Sequence, residues 1–223
     1  MPLKKVRQLL FDLDGTIADT APDLALALNL LRAEHGQPAL DFARIRPLVS
    51  AGAAAMVCDA FSISEQVPQF HPLRERFLAL YSENICRHSR LFPGMDQVLD
   101  YLDDNRIRWG IVTNKPGWLT EPLLHAMALH TRSGCIVSGD TLPRRKPHPE
   151  PLLHACQLMA CRPEETAYIG DARTDIQAGA SAGMATGLAL YGYLEPGTQA
   201  DEWGADTLFH QPLDILSWLT DTD

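Results

Sequence analysis

Asp12-Leu13-Asp14-Gly15-Thr16 sets two carboxylates two residues apart, directly behind the apolar run Val6-Arg7-Gln8-Leu9-Leu10-Phe11. That run reads as a buried strand, so both acids fall at a strand end. Like charges at such short range repel. A chain accommodates them where a cation sits between them, or where one carboxyl keeps its proton. Gly15 relieves the backbone at the turn and Thr16 adds a hydroxyl. The chemistry on offer is a metal site, a phosphate site or both. Taken alone, a strand followed by an ordinary Asp-Gly turn would read the same way.

Three later fragments narrow the choice. Thr113-Asn114-Lys115 closes a second apolar run, 107–113, and Lys146-Pro147 follows a short third strand, 134–138, after the loop 139–145. Gly170-Asp171-Ala172-Arg173-Thr174-Asp175 follows a fourth strand, 166–170. Each fragment has an ordinary structural explanation. Thr113 could cap a strand, Lys146 could be a solvated charge beside Arg144 and Arg145, and Asp171 and Asp175 could cap a helix. Acids, a hydroxyl and a lysine falling together at four successive strand ends require a common reason.

The elements that must position these residues alternate. Behind the first strand the pattern is helical only, as far as about His88: a helix over 22–34 with Leu24, Leu28 and Leu31 on one face, closed by His35-Gly36, and a short helix from an Asp41 N-cap to Leu48. Ser50-Ala51-Gly52 breaks the pattern, a helix resumes over 53–60, residues 62–72 are turn-rich, and a longer helix covers 73–87 with Phe77, Leu80 and Tyr81 inward. From there strand and helix alternate: helices over 94–105, 116–128, 149–161, 173–182 and 212–219, with further strands over 184–190 and 207–209. Such alternation predicts a Rossmann-like, doubly wound parallel α/β sheet, whose ligands bind at the carboxyl ends of the strands. No internal repeat or low-complexity stretch occurs.

Composition bounds the rest. The 223 residues suffice for one good-sized domain with an insert, and 46% hydrophobic residues support a real core. A formal net charge of -9 argues against nucleic acid or an anionic membrane as partner. No apolar stretch is long enough to span a bilayer, and Met1-Pro2-Leu3-Lys4-Lys5-Val6 runs into strand without a signal-peptide pattern, so a cytoplasmic protein is expected. The five cysteines are scattered and the eight histidines lack metal-ligand spacing, which excludes a disulfide framework or a zinc site.

On these motifs the whole chain resembles the haloacid dehalogenase-like superfamily of phosphatases. The family's Asp-x-Asp-x-Thr motif is matched by Asp12, Asp14 and Thr16, its strand-end Ser/Thr by Thr113, its lysine by Lys146, and its Gly-Asp-x-x-x-Asp by Asp171 and Asp175. The resemblance implies a core formed by residues 1–16 and 89–223, with a helical cap, 17–88, inserted after the first strand. It implies Asp12 as the nucleophile that forms an aspartyl phosphate, Asp14 as acid and then base, and Mg2+ as cofactor. Asp12, the Asp14 carbonyl and Asp171 would hold the metal, with Asp175 behind them or as an extra ligand. Thr16, Thr113 and Asn114 would meet the phosphate, and Lys146 would neutralise charge.

Several rival chemistries are tested by residues. Asp14 argues against a dehalogenase, which lacks the second acid of the first motif. No lysine occurs between Lys5 and Lys115, so the cap cannot supply a Schiff base to a phosphonate hydrolase. A hexose phosphate mutase shares the core motifs and would need a second phosphate grip, for which Arg44 and Arg46 are the candidates; a non-catalytic binding protein is the remaining alternative. In the cap, Ser50-Ala51-Gly52-Ala53 is either a substrate-selecting loop, with Ser50 and Gly52 at the ligand, or a tight inter-helix turn. The chain is most similar to the phosphoglycolate phosphatase branch. Finer segments, His88-Ser89-Arg90-Leu91-Phe92, Tyr191-Gly192-Tyr193 and Trp203-Gly204-Ala205-Asp206, resemble bacterial N-acetylmuramic acid 6-phosphate phosphatases of peptidoglycan recycling. The implied partner is a small phosphorylated metabolite, acted on by a monomer or homodimer.

Overall fold

The computed structural model describes residues 6–195 and 197–220. The reading of Met1 to Lys5 as a lead into strand, and the outermost ends of the expected core, 1–5 and 221–223, lie outside the described residues. The chain runs β1 (Gln8–Phe11), β2 (Ala18–Asp19), α1 (Ala21–Glu34), α2 (Phe42–Ile45), a 3-10 turn (Arg46–Ala51), α3 (Gly52–Phe61), α4 (Phe70–Glu83) and β3 (Arg90–Leu91). It continues α5 (Met95–Asp104), β4 (Trp109–Val112), α6 (Gly117–Ala126), β5 (Ile136–Val137), α7 (Glu150–Leu158), β6 (Thr166–Gly170), α8 (Arg173–Ala182), β7 (Ala185–Ala189), β8 (Thr207–Phe209) and α9 (Asp214–Thr220).

Six strands form one parallel sheet in the order β5-β4-β1-β6-β7-β8. The chain builds outward from β1 through β4 to β5, then returns to the other side of β1 with β6. The order therefore reverses at β1, and the crevice above the carboxyl ends of β4, β1 and β6 is where a doubly wound sheet binds ligands. Alternate side chains explain why β1 reads as a continuous apolar run. Leu9 and Phe11 enter the larger core with α1, α4 and α5, whereas Leu10 enters a second core with α7 and α8. Tyr168 of β6 joins Leu10, and its neighbours Ala167 and Ile169 join Leu9. Both faces are covered, as parallel sheets require.

Helices α1 to α4 pack together as a helical layer between β1 and β3. The expected inward residues Leu24, Leu28 and Leu31 of α1, and Phe77, Leu80 and Tyr81 of α4, are buried. Three local expectations are corrected. The segment after β1 is not purely helical: β2 and β3 pair antiparallel, Ala18 opposite Leu91 and Asp19 opposite Arg90. Two-residue strands are too short to carry a period. The last helix of the layer starts at Phe70 and ends at Glu83, rather than spanning 73–87; Pro72 falls in its first turn, where no backbone donor is lost. The short helix expected to reach Leu48 is α for one turn and then 3-10 through Ala51.

The chain enters the helical layer after β2 and returns from it before β3, and one buried acid ties the two crossings. Asp23, fully buried in the first turn of α1, accepts hydrogen bonds from the amides of His88 (2.8 Å) and Ser89 (2.9 Å) and from the Ser89 hydroxyl (2.6 Å).

Candidate active site

Asp12 leaves β1, Asp171 leaves β6, and Asp175 lies in the first turn of α8. Each offers a carboxylate oxygen within 4.8 Å of the others, and all three residues are buried. Lys146, 4% exposed, enters from the loop before α7. Its ammonium donates to Asp12 Oδ1 (2.8 Å), the Tyr168 hydroxyl (2.7 Å) and the Val112 carbonyl (3.0 Å), and it pairs with Asp175 Oδ1 (2.7 Å). The Asp175 Oδ2 accepts the Ala172 amide at the start of α8 (3.0 Å). Both oxygens of Asp175 are thus held by the chain itself.

Three carboxylates gather around one ammonium, and two of them, Asp12 and Asp171, have raised proton affinities. Burial raises Asp12 to about 7; Lys146 opposes this, and Asp175 and Asp14 add to it. Burial, then Asp12 and Asp175, raise Asp171 to about 8. Burial alone would lower Lys146, but Asp12 and Asp175 outweigh it and hold the ammonium above the ordinary lysine range. Asp171 Oδ1 is buried and has no hydrogen-bond partner among the described residues. An orphaned carboxylate oxygen in a cluster short of positive charge fits a hard divalent cation with oxygen ligands.

The second acid of the first motif faces elsewhere. Asp14 Oδ1 accepts from Lys115 Nζ (2.9 Å) and the Thr20 hydroxyl (2.5 Å), and Oδ2 lies 3.2 Å from the same ammonium. The Asp14 side chain is therefore outside the carboxylate cluster, and only its backbone is left for the metal role expected of it. Lys115 is nearly buried, and its ammonium stands 4.5 Å from the centre of the Tyr81 ring of α4. Burial opposes its charge, yet Asp14 keeps it above the ordinary lysine range.

The remaining expected residues divide. Thr113 is buried, and its hydroxyl accepts the Lys115 amide (3.2 Å). Asn114 grips the backbone of Lys146 at both ends, donating to its carbonyl and accepting its amide at 3.1 Å each. It positions the lysine's backbone through its side chain. Thr16 is fully buried, its hydroxyl without a partner among the described residues. Ser50 does reach the cluster: its hydroxyl donates to Asp171 Oδ2 (2.7 Å). Gly52 has φ of +84° with open space where a side chain would be, so conformation rather than room favours glycine there. Gly15 needs both: φ is +86°, and a Cβ would lie 2.1 Å from Asp171 Oδ2.

Sequence reasoning missed the roles of Lys115, Tyr168 and Arg46. Lys115 stands two residues past Thr113 in the same strand-end fragment, which was a usable signal. Tyr168 sits inside an apolar strand and carries no local mark. Arg46 donates to the Gly192 (2.9 Å) and Tyr191 (3.1 Å) carbonyls, and Arg44 pairs with Asp59 (3.0 Å). Both guanidiniums are thus engaged within the chain.

Known proteins show the same organisation. The sequence model described as haloacid dehalogenase-like hydrolase matches residues 9–189. An N-acetylmuramic acid 6-phosphate phosphatase of Pseudomonas aeruginosa is 39% identical over 98% of this chain and 97% of its own length. A phosphoglycolate phosphatase of Xanthomonas campestris is 38% identical over 92% of this chain and 93% of its own. The crystal structure of a predicted phosphoglycolate phosphatase from Haemophilus somnus superposes with a TM-score of 0.85 at 28% identity, covering 97% of this chain and 99% of that one. The chain belongs to the haloacid dehalogenase-like hydrolases, and it is an enzyme of that family.

Proposed function

We propose that this enzyme hydrolyses a small-molecule phosphomonoester, with Asp12 as nucleophile and Mg2+ as cofactor. The observation that carries the reading is the orphaned Asp171 Oδ1 in a buried cluster with Asp12 and Asp175, against which Lys146 already holds one Asp12 oxygen. Asp12, Asp171 and the Asp14 carbonyl would hold the ion, which when bound offsets the repulsion between carboxylate and phosphate and polarises the phosphoryl group. Asp175, satisfied by Lys146 and the α8 amide, serves from behind. The helical layer, residues 17–88, is the cap over this crevice, and residues 6–16, 89–195 and 197–220 are the core.

The residues divide the work in two halves. An Asp12 oxygen attacks phosphorus while the ester P–O bond breaks, and Asp14 hands its proton to the leaving oxygen. Water then attacks the aspartyl phosphate, Asp14 takes the water's proton, and the Asp12 O–P bond breaks. Lys115 and the Thr20 hydroxyl hold the Asp14 carboxyl in place for both transfers. Lys146 stabilises charge on Asp12 and the transferring group throughout.

The relatives' names supply the substrate class. Phosphoglycolate and N-acetylmuramic acid 6-phosphate each join a phosphate to a carboxylic acid, so the substrate proposed is an acid-bearing phosphomonoester of that kind. Among the described residues no helix is long and apolar enough to cross a membrane, which agrees with action on a dissolved metabolite. The test is a panel of phosphoglycolate, N-acetylmuramic acid 6-phosphate, glucose 6-phosphate and p-nitrophenyl phosphate, with and without chelator. Turnover that stops on chelation, returns with Mg2+ and favours an acid-bearing ester is expected. Undiminished turnover in metal-free buffer removes the ion from the account, and preference for glucose 6-phosphate removes the substrate class.

A further inference from the structure

Tyr191-Gly192-Tyr193 follows β7 and touches three parts of the site. The Tyr193 amide donates to Asp171 Oδ2 (2.8 Å). The Tyr193 hydroxyl accepts from the amides of Thr20 (2.6 Å) and Ala21 (2.9 Å) where α1 begins, and the Tyr191 hydroxyl donates to the Thr16 carbonyl (3.1 Å). From the helical layer, Arg46 holds the Tyr191 and Gly192 carbonyls and lies 4.9 Å over the Tyr193 ring. Gly192 allows this closeness: a Cβ there would meet Asp171 Cβ at 2.3 Å and the Gly15 carbonyl at 2.5 Å. Four residues beyond Arg46, on the same 3-10 turn, Ser50 donates to the same Asp171 Oδ2.

One oxygen of Asp171 therefore receives two donors, one from the core loop and one from the helical layer, while the other oxygen receives none among the described residues. A hydroxyl has a single proton to donate. That of Ser50 is committed to Asp171 rather than offered to a ligand. Two donors converging on Oδ2 fix the rotation of the carboxylate and leave Oδ1 as its free face.

We propose that Ser50 is a positioning residue for Asp171, seated by the Arg46 clamp on the Tyr191-Gly192 carbonyls, so that docking of the helical layer and cation binding are coupled. The proposal rests on the reading of Asp12 and Asp171 as a cation site. Without Ser50, Asp171 keeps only the Tyr193 amide and turns more freely. Partners behind a ligand of this kind typically change metal affinity by about 10- to 100-fold. Coupling is reciprocal, so a bound cation also strengthens docking of the turn.

The test is Mn2+ binding to the full chain without substrate, read by the electron paramagnetic resonance of the free ion. Ser50→Ala is expected to weaken binding at least about tenfold, with the melting temperature of the metal-free protein unchanged. Ser50→Thr, which restores the hydroxyl, is expected to recover most of the loss. Arg46→Met is expected to weaken binding in the parent chain and to add nothing in the Ser50→Ala background, because it acts through Ser50. Parent-like affinity in Ser50→Ala, or full additivity of the two changes, overturns the coupling while the cation site stands. A parent chain that binds no Mn2+ overturns both the coupling and the site.

Discussion

Asp12, the proposed nucleophile, shares the electrostatic cost of the cluster with Asp171. It is buried between Lys146 and two more carboxylates, and its proton affinity is raised accordingly. Asp12→Asn keeps the shape and removes the nucleophile. Turnover of p-nitrophenyl phosphate is expected to fall by at least about a thousandfold, as for other covalent nucleophiles. The metal-free melting temperature is expected not to fall, since a strained charge is lost. Parent-like rates in the purified variant would refute the assignment. Lys146 is the opposite case. Lys146→Met leaves Asp12 and Asp175 without their shared counter-charge in a buried place. Breaking such a pair from one side costs about 3–5 kcal/mol, and urea unfolding of the metal-free protein measures it. A loss below about 1 kcal/mol, the range of exposed pairs, would mean that the ammonium does not carry the cluster.

At the scale of elements, the site depends on where the chain crosses between sheet and helical layer. The two crossings are joined by the β2–β3 pair and by Asp23, whose carboxylate satisfies the His88 and Ser89 amides and the Ser89 hydroxyl. Asp23→Ala strands the buried amide and hydroxyl of Ser89. An expected loss of about 1–3 kcal/mol in chemical denaturation follows from leaving buried donors unpaired. Stability within about 0.5 kcal/mol of the parent, as for an ordinary surface change, would show that the crossings are held by packing alone. The Asp23–Ser89 bond was illegible beforehand, because the partners are 66 residues apart and neither carries a local signal. By contrast α8 and β8 have the limits the residues suggested, because each is bounded by its own turn residues.

For the whole molecule, the cluster ties stability to pH and to the cation. Asp12 rises to about 7 and Asp171 to about 8, from an ordinary 3.8. Each carboxyl thus binds its proton more tightly folded than unfolded. The stability this contributes is fully present below the unfolded value and is lost as pH rises through the folded values. Metal-stripped protein is expected to melt higher near pH 5 than near pH 8.5, with roughly that window set by the two raised groups. On the proposed reading Mg2+ would supply the charge that the protons supplied, so adding it is expected to lift the alkaline melting temperature most and flatten the profile. An equal pH profile with and without the ion would contradict this. The residues alone determined that acids fall at successive strand ends of a parallel sheet, because apolar runs, turn residues and helix starts are local and periodic. They also determined that Asp12, Asp171 and Lys146 share one rim, since the sheet brings every such end to the same side. Only the tertiary structure decided that Asp14 turns to Lys115, that Ser50 serves Asp171 and that Tyr168 braces Lys146. Those choices are hydrogen bonds between side chains from separate elements, and which donor reaches which acceptor depends on how the helical layer seats on the sheet.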